Sequence, residues 1–254
     1  MRRVDSPRPP FNTTAMGTAY KHWKVMPHGP FEQLESNLWR VEGSLPGHAL
    51  KRVMTVARRS DGGLVVHSAI ALDEECMARL DHEGPVAFLV IPNRFHRLDA
   101  RVYKDRYPNA KVVCPRSAVR AVAKVVPVDH TFDAYPSDPD VALQHLSGTQ
   151  DREGVLIVRH QSRVTLVFND AIFNAPHVPG FEGFVLRYVT QSTGAPRVSR
   201  IARLFLVKDR RAFAKGLADL AKTPGLVRIV VSHHEVIGER PDAVLATIAA
   251  AQGA

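Results

Sequence analysis

The sequence predicts an α/β protein built as a four-layer αββα sandwich: two mixed sheets face to face, with helices outside. Three observations carry this. Short apolar runs separated by turns recur along the 254 residues, each the length of a strand rather than of a helix. In each half, strands joined by tight turns come first and strand–helix alternation follows, so an antiparallel start gives way to parallel pairing. The order of elements repeats between the halves, although no residue-level repeat accompanies it.

Residues 1–30 contain five prolines and no period, which reads as an irregular arm before a single domain over 31–254. "NLWRVEG" is a strand, followed by the turn-rich "SLPGHAL". "KRVMTVARR" and "LVVHS" flank Asp61-Gly62-Gly63, a hairpin signal. "ALDEECMARLDHEG" reads as a helix with acidic residues in its first turn and Gly84 as its stop. A strand over Val86–Ile91, a helix over about Leu98–Tyr107, a strand over Lys111–Cys114 and a helix over Ser117–Lys124 follow.

In the second half, "GVLIVRHQSRVTLVFND" predicts a two-stranded hairpin, whereas "FVLRYVT" fits either a strand or an irregular helix. "DRRAFAKGLADLAKT" places Phe213, Leu217 and Leu220 on one helical face. "VRIVVSHHE" is a buried strand running into a loop, and "RPDAVLATIAAAQ" a closing helix with Pro241 near its start.

Composition narrows the classes. With 45% hydrophobic and 23% charged residues the chain is neither disordered nor fibrous. No apolar run approaches the ~20 residues that span a bilayer, so no membrane partner is expected. "MRRVDSPRPPFNTTAMG" lacks the apolar core of a secretory signal. Cys76 and Cys114 have no CxxC spacing, and Cys114 reads as a small core residue. Cytoplasm is the expected location. A net charge of +9 favours anionic partners, a small anionic molecule among them. The basic residues are dispersed without interleaved aromatics, which disfavours nucleic acid.

Ligands of open α/β sheets bind beyond the carboxyl ends of the strands. "LVV" is followed by His67-Ser68, "FLVI" by Asn93 and His96, "TLVF" by Asn169-Asp170, and "RIVV" by Ser232-His233-His234-Glu235. Singly, each is an ordinary core histidine or turn former. Their convergence at strand ends points to a site.

These same stretches carry a family resemblance over residues 34–252. "LESNLWRVEG…KRVMTVARRSDGGLVVHS" is similar to the opening of metallo-β-lactamase superfamily domains. "FLVIPNRFHRLD…YPNAKVVCP" resembles their second motif, a strand entering T-H-x-H-x-D-H. "RVTLVFNDAIF" is similar to the strand that ends in the family's metal-bridging aspartate, and "VRIVVSHHEVI" to the strand that ends in its last histidine. The PN-x-x-H and SHHE patterns are closer to a divergent branch, the DUF4336 group. The departures are specific. Asn93 and Phe95 stand where two histidines are expected, Asp99 is displaced from the aspartate's place, His67 replaces the first-motif aspartate, and Gly148-Thr149 lacks the third-motif histidine.

The resemblance implies a hydrolase fold with a rearranged site for one divalent metal, zinc or iron. His96, Asp170 and His233 would be its ligands, meeting the three-ligand minimum of a catalytic site without margin. His67 and Asn93 would contact the ligand, and Asp99 or His234 would carry protons. A dinuclear site lacks the residues it needs. Two alternatives stay open: a metal-free protein binding a small anion or a partner, and a nucleic-acid-binding relative.

Overall fold

The computed structural model describes residues 19–253. The expected arm therefore lies mostly outside the described residues. Its remainder, up to Pro30, has no regular structure beyond one bridge from His28 to Gly43. It is nevertheless anchored: Trp23 donates its indole N–H to Leu72 O at 2.9 Å and packs on Tyr103.

Seven strands make the first sheet in sequence order: β1 (Glu32–Glu35), β2 (Leu38–Ser44), β3 (Lys51–Arg58), β4 (Leu64–His67), β5 (Val86–Val90), β6 (Lys111–Cys114) and β7 (His130–Thr131). Pairing is antiparallel as far as β4 and parallel beyond it. The second sheet has the order β11-β10-β9-β8, from β8 (Val141–His145), β9 (Gly154–His160), β10 (Arg163–Phe168) and β11 (Leu226–Val231). Here β8, β9 and β10 pair antiparallel and β10 with β11 parallel. Both sheets are mixed, as the sequence predicts.

The two-residue period of a strand sends alternate side chains to opposite faces, and in the central strands both faces are apolar. Val65, Val53, Leu156, Val158, Val167 and Val230 fill the layer between the sheets. Their neighbours Leu64, Val66, Met54 and Val56 face a core shared with α1 (Glu74–Glu83) and α2 (Ala100–Arg106). Leu166, Phe168, Ile229 and Val231 face a third core, under α5 (Arg200–Phe205), α6 (Arg210–Ala221) and α7 (Pro241–Gly253). Four layers follow from this double burial. Asp73 caps α1 by accepting from Cys76 N, and Asp209 caps α6 by accepting from Ala212 N.

The second expected helix begins at Ala100 rather than Leu98. The segment expected as a helix over Ser117–Lys124 is a 3₁₀ turn, Arg116–Ala118, running into a single α-turn, α3 (Val119–Val122). "FVLRYVT" is helical: α4 (Gly180–Phe184) continues through a widened turn over Val185–Val189. β1, β7, β8 and α5 do not stand out as separate elements in the sequence. These are short or at sheet edges, and β8 buries only Val141 fully, so its alternation is weak.

Entry into β11 depends on Gly225. Its φ is +73°, and a Cβ there would meet the carbonyl oxygen of Ser162, while its own carbonyl accepts from Val164 N at 2.7 Å. Gly225→Ala should cost at least about 2 kcal/mol, from left-handed strain plus the clash. That corresponds to a melting temperature lower by roughly 4–8 °C in a chain of this size. An unchanged melting curve would show that the turn relaxes freely.

Candidate metal centre

The parallel strands β4 and β5 end on the same side as β10 and β11, and the start of β3 closes the gap. Val53 N donates to Ser232 O at 2.8 Å, joining the two sheets at this edge. Here the loops after three strands bring His96, Asp170 and His233 together, with one potential ligand atom from each lying within 4.8 Å of the others. Asp170 Oδ1 is 3.0 Å from His96 Nε2 and 3.1 Å from His233 Nε2.

Each member is oriented from behind. His233 Nδ1 donates to the carbonyl of Lys51 at 2.8 Å, and its ring stacks on Phe173 with centroids 4.9 Å apart. Because a carbonyl only accepts, Nδ1 carries a proton, and in the neutral ring Nε2 turns its lone pair toward Asp170. A lone pair aimed at a carboxylate oxygen is repulsive unless a proton or a cation lies between them. The second nitrogen of His96, Nδ1, meets Ser68 Oγ at 2.9 Å. Imidazoles fixed through their far nitrogen are the usual support of a metal ligand. Tetrahedral ligands about 2.0–2.1 Å from a zinc ion lie roughly 3.3 Å apart, so the separations here fit one small cation.

Asn93 serves as a brace. Its Nδ2 donates to Asp170 Oδ2 at 2.7 Å, while its Oδ1 accepts from Phe95 N at 2.8 Å and His96 N at 3.3 Å. One buried amide thus folds the loop that carries His96 and holds the free oxygen of Asp170. His67 is completely buried beneath, and its Nδ1 has no partner. Burial, and then the nearby His96, push its pKa down to about 3. Asp99 forms a buried ion pair with Arg52; burial raises its pKa more than Arg52 lowers it. His234 turns into the backbone, accepting from Lys51 N at 3.0 Å, with φ at +66°. Burial, then His233, bring its pKa down to about 4.

Two contributors escaped the sequence reading as site residues. Ser68 was visible only as the neighbour of His67. Glu153, in "DREGVL", reads as a solvated turn residue, yet it is fully buried and accepts from Ala171 N at 2.6 Å and Asp170 N at 3.1 Å. Burial, followed by the charge of Asp170, pushes its pKa up to about 8. For Asp170, burial acts upward, but the histidines outweigh it and hold the carboxyl well below its ordinary value.

A cavity of about 300 Å³ opens beside His96 and His233. Leu45, Pro46, Ala69 and Leu98 form apolar walls, and Lys24 and Arg52 bring positive charge. Phe95 also lines it, its ring under the Arg94 guanidinium at 4.6 Å.

This fold, two mixed sheets between helices with the site at the strand ends, is metallo-β-lactamase-like. The chain is similar in structure to the metallo-β-lactamase FIM-1 of Pseudomonas aeruginosa in its mono-zinc form, at 11% identity and a TM-score of 0.58, over 91% of this chain and 98% of that one. It is likewise similar to a metallo-β-lactamase from Pontibacter korlensis, at 11% identity and a TM-score of 0.56, over 86% and 97% of the two chains. No family model matches the sequence, and no curated protein matches it.

Two outcomes follow from the buried groups. Glu153→Ala strands two buried N–H donors, which should cost about 2–6 kcal/mol at about 1–3 kcal/mol each, read as a lower urea midpoint. An unchanged midpoint would place Glu153 in solvent. His67 is neutral when folded and has a depressed pKa, so unfolded chains take up more protons below their ordinary pKa of 6.5. Stability should therefore fall as pH drops below about 6.5, by roughly 2 kcal/mol at pH 5 from this group, and go on falling toward pH 3. His67→Gln should flatten that limb, and an equally steep limb in the variant would assign it to other groups.

Proposed function

We propose that the protein is a metal-dependent hydrolase acting on a small anionic substrate, with one divalent ion, zinc or iron, held by His96 Nε2, His233 Nε2 and Asp170 Oδ1. One observation carries this reading: Nε2 of His233 faces Asp170 Oδ1 at 3.1 Å while its Nδ1 is committed to Lys51 O at 2.8 Å. The bound ion would polarise a carbonyl or phosphoryl oxygen and acidify water.

The chain's own residues do the rest. Ser68, the Lys51 carbonyl and Phe173 hold the imidazoles in place, and Asn93 keeps Asp170 Oδ1 facing them. The apolar walls exclude water, which strengthens charge interactions at the reacting atoms. Lys24 and Arg52 favour an anionic group, and among the described residues no carboxylate lines the cavity. For proton transfer the geometry favours His48, which lines the cavity with its Nδ1 3.3 Å from Glu182 Oε1. Asp99 and His234 are less suited, since one is held by Arg52 and the other by Lys51 N. The two free cysteines are buried, in keeping with a cytoplasmic setting. The PN-x-x-H and SHHE patterns favour a branch of the fold like the DUF4336 group.

Tag-free protein loaded with zinc should hydrolyse at least one of p-nitrophenyl phosphate, bis(p-nitrophenyl) phosphate and p-nitrophenyl acetate. Asp170→Ala should remove at least about 99% of that rate, since loss of an outer-shell partner alone costs about 10–100-fold, and leave the melting temperature of the metal-free protein within a few degrees. Absence of both zinc uptake and hydrolysis would favour the metal-free, anion-binding alternative. Hydrolysis undiminished in Asp170→Ala would remove this site from the reaction.

A further inference from the structure

Helices of a folded domain normally keep their outward side polar, but α4 with its continuation, and α5, bury Val185, Leu186, Ala202 and Leu206 and still carry large apolar side chains outward. Phe181, Phe184 and Tyr188 lie at helical spacing and are 68%, 55% and 54% exposed. Ile201, Leu204 and Phe205 on α5 are exposed as well, Leu204 to 68%. The two faces adjoin: Arg200 N donates to Thr190 O at 2.8 Å, and its guanidinium reaches the carbonyls of Tyr188 and Val189. Large apolar side chains clustered this way mark a surface that is covered in use.

Charge indicates what covers it. Residues 180–211 hold seven basic side chains against two acidic ones, Glu182 and Asp209. Both acids are engaged internally, Glu182 by Ala49 N and His48, Asp209 by Ala212 N. Arg187, Arg200 and Arg203 form no ion pair with a carboxylate among the described residues. The face is therefore apolar with a cationic border. A second copy of the chain is a poor occupant, because a two-fold contact would set these arginines against themselves. A nucleic acid would leave the aliphatic Ile201 and Leu204 unused. An anionic bilayer matches both properties: the apolar side chains enter the headgroup boundary and the arginines meet lipid phosphates.

We infer that the protein docks on anionic membranes through the α4–α5 face, lying on the bilayer without crossing it. No helix among the described residues is long and apolar enough to cross one. This departs from the sequence-based expectation of no membrane partner, which rests on the lack of a spanning apolar run. The inference does not rest on the proposed hydrolase activity.

Co-sedimentation of the full, tag-free chain with phosphatidylcholine vesicles, with and without phosphatidylserine, tests it. Binding should require phosphatidylserine and weaken with salt. The double variant Phe184→Ser, Leu204→Ser should lower the partition coefficient at least about tenfold with an unchanged melting temperature, because both side chains are exposed. Arg187→Glu with Arg200→Glu, a second and independent pair on the cationic border, should do the same. Failure to sediment with phosphatidylserine vesicles would overturn the inference. So would undiminished binding by both double variants, or a dimer in sedimentation velocity that the Phe184, Leu204 variant dissociates.

Discussion

Asp170 Oδ1 sits about 3 Å from the Nε2 atoms of two histidines, and one of these nitrogens cannot carry a proton while its ring stays neutral, because Nδ1 already donates to a carbonyl. Such an arrangement persists only if positive charge is supplied, by protonating imidazole or by binding a cation. The depressed pKa of Asp170 expresses the same demand from the carboxylate's side. One cation would satisfy all three ligand atoms at once. Much of the surrounding structure serves to hold these atoms at this spacing.

That support comes from both halves of the chain. His96 and its brace Asn93 lie on the loop after β5, Ser68 follows β4, and Lys51 starts β3, all in the first sheet. Asp170 and His233 follow β10 and β11 in the second. Glu153, just before β9, fastens the Asp170 loop through two backbone N–H groups. The trio therefore forms only when the sheets are stacked in register, through the apolar layer of Val65, Val167 and Val230. Fold and site are coupled. The Arg52–Asp99 pair ties β3 to the start of α2 beside the cavity, and removing either partner would leave a buried charge, at about 3–5 kcal/mol.

Much of this was legible in the sequence because strand ends are a local signal. Apolar runs ending in His, Asn or Asp identified Asn93, His96, Asp170 and the His233-His234 pair before any geometry. The period of two held that only one of that pair would face the site, and in the structure His234 faces the Lys51 amide. What sequence could not supply is long-range. Glu153 lies in an ordinary polar turn, and its burial is set by a loop 17 residues on. Asp99 has the look of a displaced catalytic aspartate, but Arg52, 47 positions away, engages it. Asn93 reads as a contact to the bound ligand, yet it acts through both ends of its amide as a brace. The exposed face of α4 and α5 was hidden for a related reason: helical spacing shows that a stripe exists, and only packing shows which way it turns.

Zinc titration by calorimetry, on tag-free wild type and His233→Ala after chelator treatment, tests the central claim most directly. The account predicts one equivalent of zinc in the wild type and loss of at least about 99% of the affinity in the variant, beyond the roughly 10–100-fold effect of an outer-shell partner. No uptake by the wild type, or equal uptake by His233→Ala, would contradict it.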